Sequence, residues 1–436
     1  MRRKKRLQFL LIFIVLLKTG TLWAEGTPLY LNPSVPVERR VADLLHRMTL
    51  AEKIGQMTQL ELGMFVEDQR NRELSQGKID LYIGHYGIGS VLSGGGSAPK
   101  ENNASEWVKT INRLQKAAAQ TRLGIPILYG IDAVHGHNNV IGAVIYPHNL
   151  GLAATWNTDL AEKIGEMTAR DVRATAVNWT FAPVLDVARD IRWGRIYETF
   201  GEDPYLVSRM GEAVVRGLQK DNLIIACAKH YMGYSGAYNG KDRNPTDVSE
   251  RTLREVFLPP FAAAVKAGVG SIMVNSGEVN GIPVHASYDL LTAILRKELK
   301  FGGFSVTDWD DIRKLYSYHK TAETYKEAIY QAIMAGIDMG MVPFDAGYCD
   351  LLIDLVEEGR IPLKRINEAV RRILTVKFKL GLIENRYIDE EATKVIGDRA
   401  SRNLALQAAR QSITLLQNNN NILPLSKEIK NIMLTG

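Results

Sequence analysis

The chain predicts an α/β fold, a (β/α)8 TIM-type barrel followed by the opening of a smaller α/β sandwich domain. Three observations lead there. From about residue 42, helical periodicity alternates with short apolar runs eight times over about 340 residues, the pattern of repeated βα units. The residues able to do chemistry fall at the C-terminal ends of those runs, the face on which barrels carry their sites. After Leu382 the pattern changes. The expected boundaries are a signal peptide over 1–24, the barrel over 25–382, a linker over 383–410 and the start of a truncated second domain over 411–436.

At the N-terminus, Arg2, Arg3, Lys4, Lys5 and Arg6 precede the apolar stretch 7–17, and Leu22-Trp23-Ala24 offers a small residue for cleavage. This predicts a secretory signal peptide and a periplasmic or secreted protein. This eleven-residue stretch is too short to span a bilayer, and no Cys stands at the cleavage point to carry a lipid. The leader holds six basic residues, these five and Lys18, and no acid, so its removal takes the formal charge from +6 to 0. A near-neutral mature chain gives no footprint for nucleic acid or for an anionic membrane. Two cysteines, Cys227 and Cys349, cannot frame a fold of this size and read as buried small hydrophobes.

The elements follow in order. A helix over 42–57, split by the Thr49/Glu52 capping box, leads into a strand at 56–60 and a second at 88–92. Helix 107–122 precedes strand 126–131, helix 159–175 precedes strand 178–185, and helix 205–220 precedes strand 224–228. Helix 251–267 and strand 271–275, helix 288–300 and strand 304–307, and helix 322–335 and strand 337–341 complete eight strands, with helix 363–379 closing the set. Beyond it, 383–387 reads as a linker, 401–411 as a helix, and 412–416 and 432–434 as strands flanking a polar turn at 418–421.

The run Phe304-Ser305-Val306-Thr307 ends on Asp308 and Trp309. A strand-end carboxylate can attack or stabilise an oxocarbenium-like centre while an indole stacks on the apolar face of a pyranose. The plainer alternative is that Asp308 caps a helix over 310–315. Asp132, Asp186 and Lys229-His230 close three other strands. Asp132 could accept from two sugar hydroxyls, and Lys229, closing an apolar run, requires a carboxylate or substrate partner. Arg195 stands in a dense charge run with Glu198, where Gly194 permits close approach and the guanidinium fork suits vicinal hydroxyls; a solvated ion-pair network is the alternative. His135 and His137 invite a metal reading, but no HExxH or further spaced ligand accompanies them, and loop hydrogen bonding is the better one. The glycines at 94–96 lack the residues of a phosphate loop, and Met273 is either pocket floor or core.

Taken together, the segment 48–57, the segment 130–139, Arg192-Trp193-Gly194-Arg195, Lys229-His230 and Thr307-Asp308-Trp309 resemble glycoside hydrolase family 3, the β-glucosidase and exo-glucanase family, across residues 40–436. The resemblance implies that Asp308 is the nucleophile of a retaining, exo-acting β-glucosidase. It also implies that Asp132, Arg195, Lys229, His230 and Met273 bind the terminal sugar, and that Trp309 is one wall of an aromatic clamp. The partner is an oligosaccharide or β-glucoside substrate, and no metal or organic cofactor is called for. β-Xylosidase or β-N-acetylhexosaminidase specificity, or a sugar-binding fragment lacking its acid/base, are the alternatives.

Two departures from the family pattern stand out. Where many members have a Tyr that hydrogen-bonds the nucleophile, this chain reads Asn275-Ser276. The family's acid/base Glu is expected in the second domain, past Gly436, and Tyr234 replaces the loop His that the N-acetylglucosaminidase branch uses instead. Glu278 and Asp242 are the remaining candidates within the chain.

Overall fold

The computed structural model describes residues 28–436 apart from Gln69, Asn71, Gly95, Leu434 and Gly436. The expected signal peptide lies outside the described residues. The chain forms an α/β fold built on parallel strands. In chain order these are β1 (Thr58–Glu61), β2 (Ser90–Ser93), β3 (Leu128–Ile131), β4 (Trp179–Thr180), β5 (Cys227–Tyr231) and β6 (Ser271–Val274), then a hairpin of β7 (Glu278–Val279) and β8 (Ile282–Pro283), then β9 (Phe304–Val306) and β10 (Gly340–Met341). One parallel sheet has the order β10-β1-β2-β3-β4 and another the order β5-β6-β9.

Backbone bonds join the two sheets along both flanks. On one side Thr180 N–H donates to Ile225 O (3.0 Å) and Cys227 N–H to Ala182 O (2.8 Å); on the other Thr307 N–H donates to Met339 O (3.1 Å) and Met339 N–H to Ser305 O (3.0 Å). β1, β2, β3, β5, β6 and β9 are buried along their whole length, as expected of strands covered on both faces. Aromatic rings from both sheets fill the interior. The Trp179 ring meets Phe181 at 4.9 Å and Phe304 at 5.1 Å, edge to face, and its Nε1–H donates to Ser271 Oγ (2.8 Å).

Local rules set the helices. Thr49 and Glu52 form a reciprocal capping box that starts Leu50–Gln56 afresh after Val37–Arg47. Asn103 caps Ala104–Ala119, Asn157 caps Thr158–Ala174, and Asp203 with Pro204 starts Pro204–Leu218. The last two of these helices touch backbone to backbone: a Cβ on Gly217 would lie 2.1 Å from Glu162 O. Leu363–Lys379 has the bounds that its periodicity predicts.

Several elements differ from expectation. Lys229 and His230 lie inside β5 and not beyond it, because pairing with β6 runs from Cys227↔Ser271 to Tyr231↔Val274 with an irregularity between Ala228 and Tyr231. The apolar run 178–185 forms regular strand only at Trp179–Thr180, although its backbone goes on bonding to β5 as far as Leu185 N–H to Lys229 O (2.6 Å). The helix Gly347–Glu357 and the β7–β8 hairpin were not anticipated. The strand expected at 412–416 does not form: those residues bear the end of Arg399–Ser412 and then exposed irregular chain, with Leu416 91% exposed. A strand needs a neighbour for its N–H and C=O groups, and among the described residues no strand pairs with this run. Cys227 and Cys349 are both buried and free, as expected.

Candidate active site

The ends of β3, β5 and β9 and the loop after β4 bring the candidate residues together. Asp308 follows β9 by two residues. The helix after it, Asp311–Ser317, has Asp310 at its N-cap in a left-handed conformation with no side-chain capping bond, so Asp308 is not a cap. Its carboxylate is instead held in two places. Oδ1 accepts from the Trp309 N–H (2.6 Å) and Oδ2 from the Ser276 hydroxyl (2.9 Å). Burial pushes the Asp308 carboxyl up, but the Trp309 N–H and the cations Arg195, Lys229 and Arg243 outweigh it and hold the group below the ordinary carboxylate range. Asp308 is therefore an ionised carboxylate that water has largely left.

Lys229 reaches from β5 to the Asp132 carboxylate at the end of β3, Nζ to Oδ1 2.7 Å. Burial lowers the Lys229 ammonium, and the charge of Asp132 more than restores it. This pair joins a closed lysine to a carboxylate that remains 44% exposed, so Asp132 keeps acceptor capacity toward a ligand. Arg195 places its fork on Glu198 (Nε–Oε1 2.7 Å, Nη2–Oε2 2.8 Å) and turns Nη2 to within 3.3 Å of His230 Nε2. The ion-pair alternative for Arg195 thus holds together with a position beside His230. His230 is buried, with Nδ1 2.8 Å from Asp186 Oδ2 and Nε2 3.9 Å from Asp308 Oδ2. Burial, then Arg195, Lys229 and Arg243, keep its imidazole neutral, while burial pushes Asp186 up to about 7.

Met273 is buried on β6, in register with Val306, two residues before Asp308. Trp309 is half-buried, its indole meeting the Phe344 ring edge-on at 5.5 Å; Gly94 permits this, since a Cβ there would lie 2.7 Å from the indole. His135 and His137 have separate partners. His135 Nδ1 bonds Tyr146 O (3.0 Å), and His137 Nε2 bonds Thr175 Oγ1 (2.8 Å). Glu278 is bound to His319 (Oε1–Nδ1 2.6 Å), and Asp242 accepts from Trp193 Nε1–H (3.0 Å).

Sequence reasoning did not single out Ser276, which donates to Asp308 from the stretch where many members of the family carry the Tyr. Nothing marks a serine for this role; it emerges only when β6 lies beside β9. A carboxylate so held, with a cation-bound acceptor and a guanidinium around it, is equipped to attack an electrophilic carbon bearing neighbouring hydroxyls.

Residues 49–376 match the glycosyl hydrolase family 3 N-terminal domain. The chain belongs to that family. It is 46% identical over 416 residues to the lysosomal beta glucosidase of Dictyostelium discoideum, covering 91% of this chain and 50% of that protein. A beta-xylosidase of Formosa agariphila is 41% identical over 349 residues, covering 75% of this chain and 48% of the relative. Among solved structures, a β-glucosidase of Erythrobacter marinus superimposes with a TM-score of 0.84 at 32% identity, over 92% of this chain and 53% of that one. The chain spans about half the length of these family 3 relatives.

Proposed function

We propose that this family 3 hydrolase is a retaining, exo-acting β-glucosidase that removes terminal non-reducing β-D-glucosyl residues through a glycosyl–Asp308 ester. The observation that carries the reading is the ionised, part-buried Asp308 carboxylate, fixed by Trp309 N–H and Ser276 Oγ–H amid three cations. Asp308 attacks the anomeric carbon as the glycosidic C–O bond breaks, and water then cleaves the ester with retention. Asp132, Arg195, Lys229 and His230 bind the terminal sugar, Met273 lines its floor, and Trp309 stacks on the next unit. The bonds along both flanks of the two sheets support reading 25–382 as one closed (β/α)8 barrel. Residues 383–410 then serve as linker, and 411–436 open a further α/β domain. Glu278 and Asp242 are each engaged elsewhere, which favours an acid/base supplied from outside the described residues. The basic and apolar leader supports a periplasmic or secreted location.

In the full-length protein, Asp308→Asn is expected to lower turnover of an aryl β-glucoside by roughly 10³-fold or more, as loss of a nucleophile does. Turnover equal to the wild type would overturn the assignment. The xylosidase relative supports a second specificity, and a panel of aryl β-glucosides, β-xylosides and N-acetyl-β-glucosaminides separates the three by kcat/KM.

A further inference from the structure

The ring of His230 is held by one carboxylate oxygen. Asp186 Oδ2 lies 2.8 Å from His230 Nδ1 and also accepts the His230 backbone N–H at 3.2 Å, while Asp186 Oδ1 is buried without a hydrogen-bond partner. On the far side of the ring, Nε2 faces Arg195 Nη2 at 3.3 Å. A guanidinium has donors only, so Nε2 acts there as acceptor and the ring proton sits on Nδ1, where it donates to Asp186. The two bonds agree on one tautomer.

That tautomer matters for the nucleophile. Nε2 is 3.9 Å from Asp308 Oδ2. A proton on Nε2 would point at the donors of Arg195 or bind Asp308, drawing off the electron pair that attacks. A lone pair on Nε2, turned to Arg195 Nη2, leaves Asp308 free.

We propose that Asp186 is a positioning residue: it fixes His230 as the Nδ1–H tautomer, so that Nε2 accepts from Arg195 and withholds a proton from Asp308. The functional part of this inference rests on the glycosidase reading; the tautomer does not. Because both donors converge on Oδ2, a proton taken up by the carboxyl goes to the unpartnered Oδ1 and leaves the ring bond in place. The groups that face this pair are Arg195, Glu198 and Lys229, with Arg243 further off.

The experiment uses the full-length protein labelled with 15N-histidine, with His230→Gln to assign the ring signals. The wild type is expected to show an Nδ1–H ring at neutral pH, and Asp186→Ala a shift to Nε2–H or to a mixture. In the same preparations kcat/KM on an aryl β-glucoside is expected to fall roughly 10- to 100-fold for Asp186→Ala, as loss of an orienting partner does. Asp186→Asn keeps an acceptor oxygen and is expected to retain the tautomer and most of the activity, which a merely structural carboxylate does not predict. An Nε2–H ring in the wild type overturns the proposal even if Asp186→Ala fails to fold. So do an unchanged tautomer or unchanged kcat/KM in Asp186→Ala, and an Asn variant that keeps the Nδ1–H ring yet is as damaged as the Ala variant. A wild type that shows the Nδ1–H ring but no hydrolysis of any aryl glycoside overturns the glycosidase reading and leaves the tautomer assignment standing.

Discussion

Ser276 shows how much one hydroxyl can decide. It donates to Asp308 Oδ2 at 2.9 Å, and Asn275 aims the turn that presents it, with Oδ1 accepting from Gly277 N–H (2.6 Å) and Nδ2–H donating to Met232 O (3.0 Å). Removing the hydroxyl strips a bond to a charged group, worth about 1.5–3 kcal/mol. The bond favours the ionised form, so its loss raises the Asp308 pKa. In Ser276→Ala the acidic limb of the kcat/KM profile is therefore expected to move to higher pH. A weaker leaving carboxylate also slows hydrolysis of the ester, so kcat and KM fall together, as steady-state kinetics on an aryl β-glucoside would show. An acidic limb that stays in place would mean that Ser276 does not tune Asp308. Asp308 and its neighbours at the strand ends were legible in the sequence, because the motif and strand-end position name them. Ser276 and the Asp186–His230 bond were not, since each depends on which strands lie side by side.

At the scale of elements, the contact between Thr158–Ala174 and Pro204–Leu218 runs against propensity. Alanine is the better helix former by about 1 kcal/mol. Yet a Cβ at 217 would lie 2.1 Å from the Glu162 carbonyl oxygen, which is backbone and cannot swing aside. Gly217→Ala is expected to destabilise by about 1–3 kcal/mol, as overpacking does, measured as a lower urea midpoint with an unchanged slope. A rise in the midpoint would show that the helices separate easily. Most of the long helices were legible to within about three residues, since caps and a 3.6-residue period are local signals. The strands were legible as runs but not as lengths: an apolar stretch such as 178–185 does not say how much of it pairs. The β7–β8 hairpin did carry a signal that was passed over, the turn Asn280-Gly281, with φ of 52° and 78°.

Over the whole molecule, one buried carboxylate ties together the ends of the strands away from the site. Asp338, at the start of the run into β10, binds Arg296, Arg365 (3.0 Å) and Arg372 (2.8 Å) and accepts from Ser305 N–H (3.1 Å). Burial pushes its carboxyl up, but the three guanidinium groups outweigh it and hold it below its ordinary value. A carboxylate depressed in the folded state stabilises above its unfolded pKa, near 3.9, and that contribution drains away as pH falls through the folded value. Asp338→Asn leaves three cations uncompensated and is expected to cost about 3–5 kcal/mol at pH 7. The gap in Tm between variant and wild type is expected to narrow below about pH 4, and a pH-independent gap would refute the electrostatic account.

The rings between the sheets impose a constraint of another kind. Trp179 comes from the five-stranded sheet, and both the ring it packs on, Phe304, and the hydroxyl that takes its N–H, Ser271, come from the three-stranded one. A change of volume at any of these three positions is felt in both sheets. The two sheets are obliged to vary as a matched set, although nearly a hundred residues of sequence separate Trp179 from the hydroxyl that completes it.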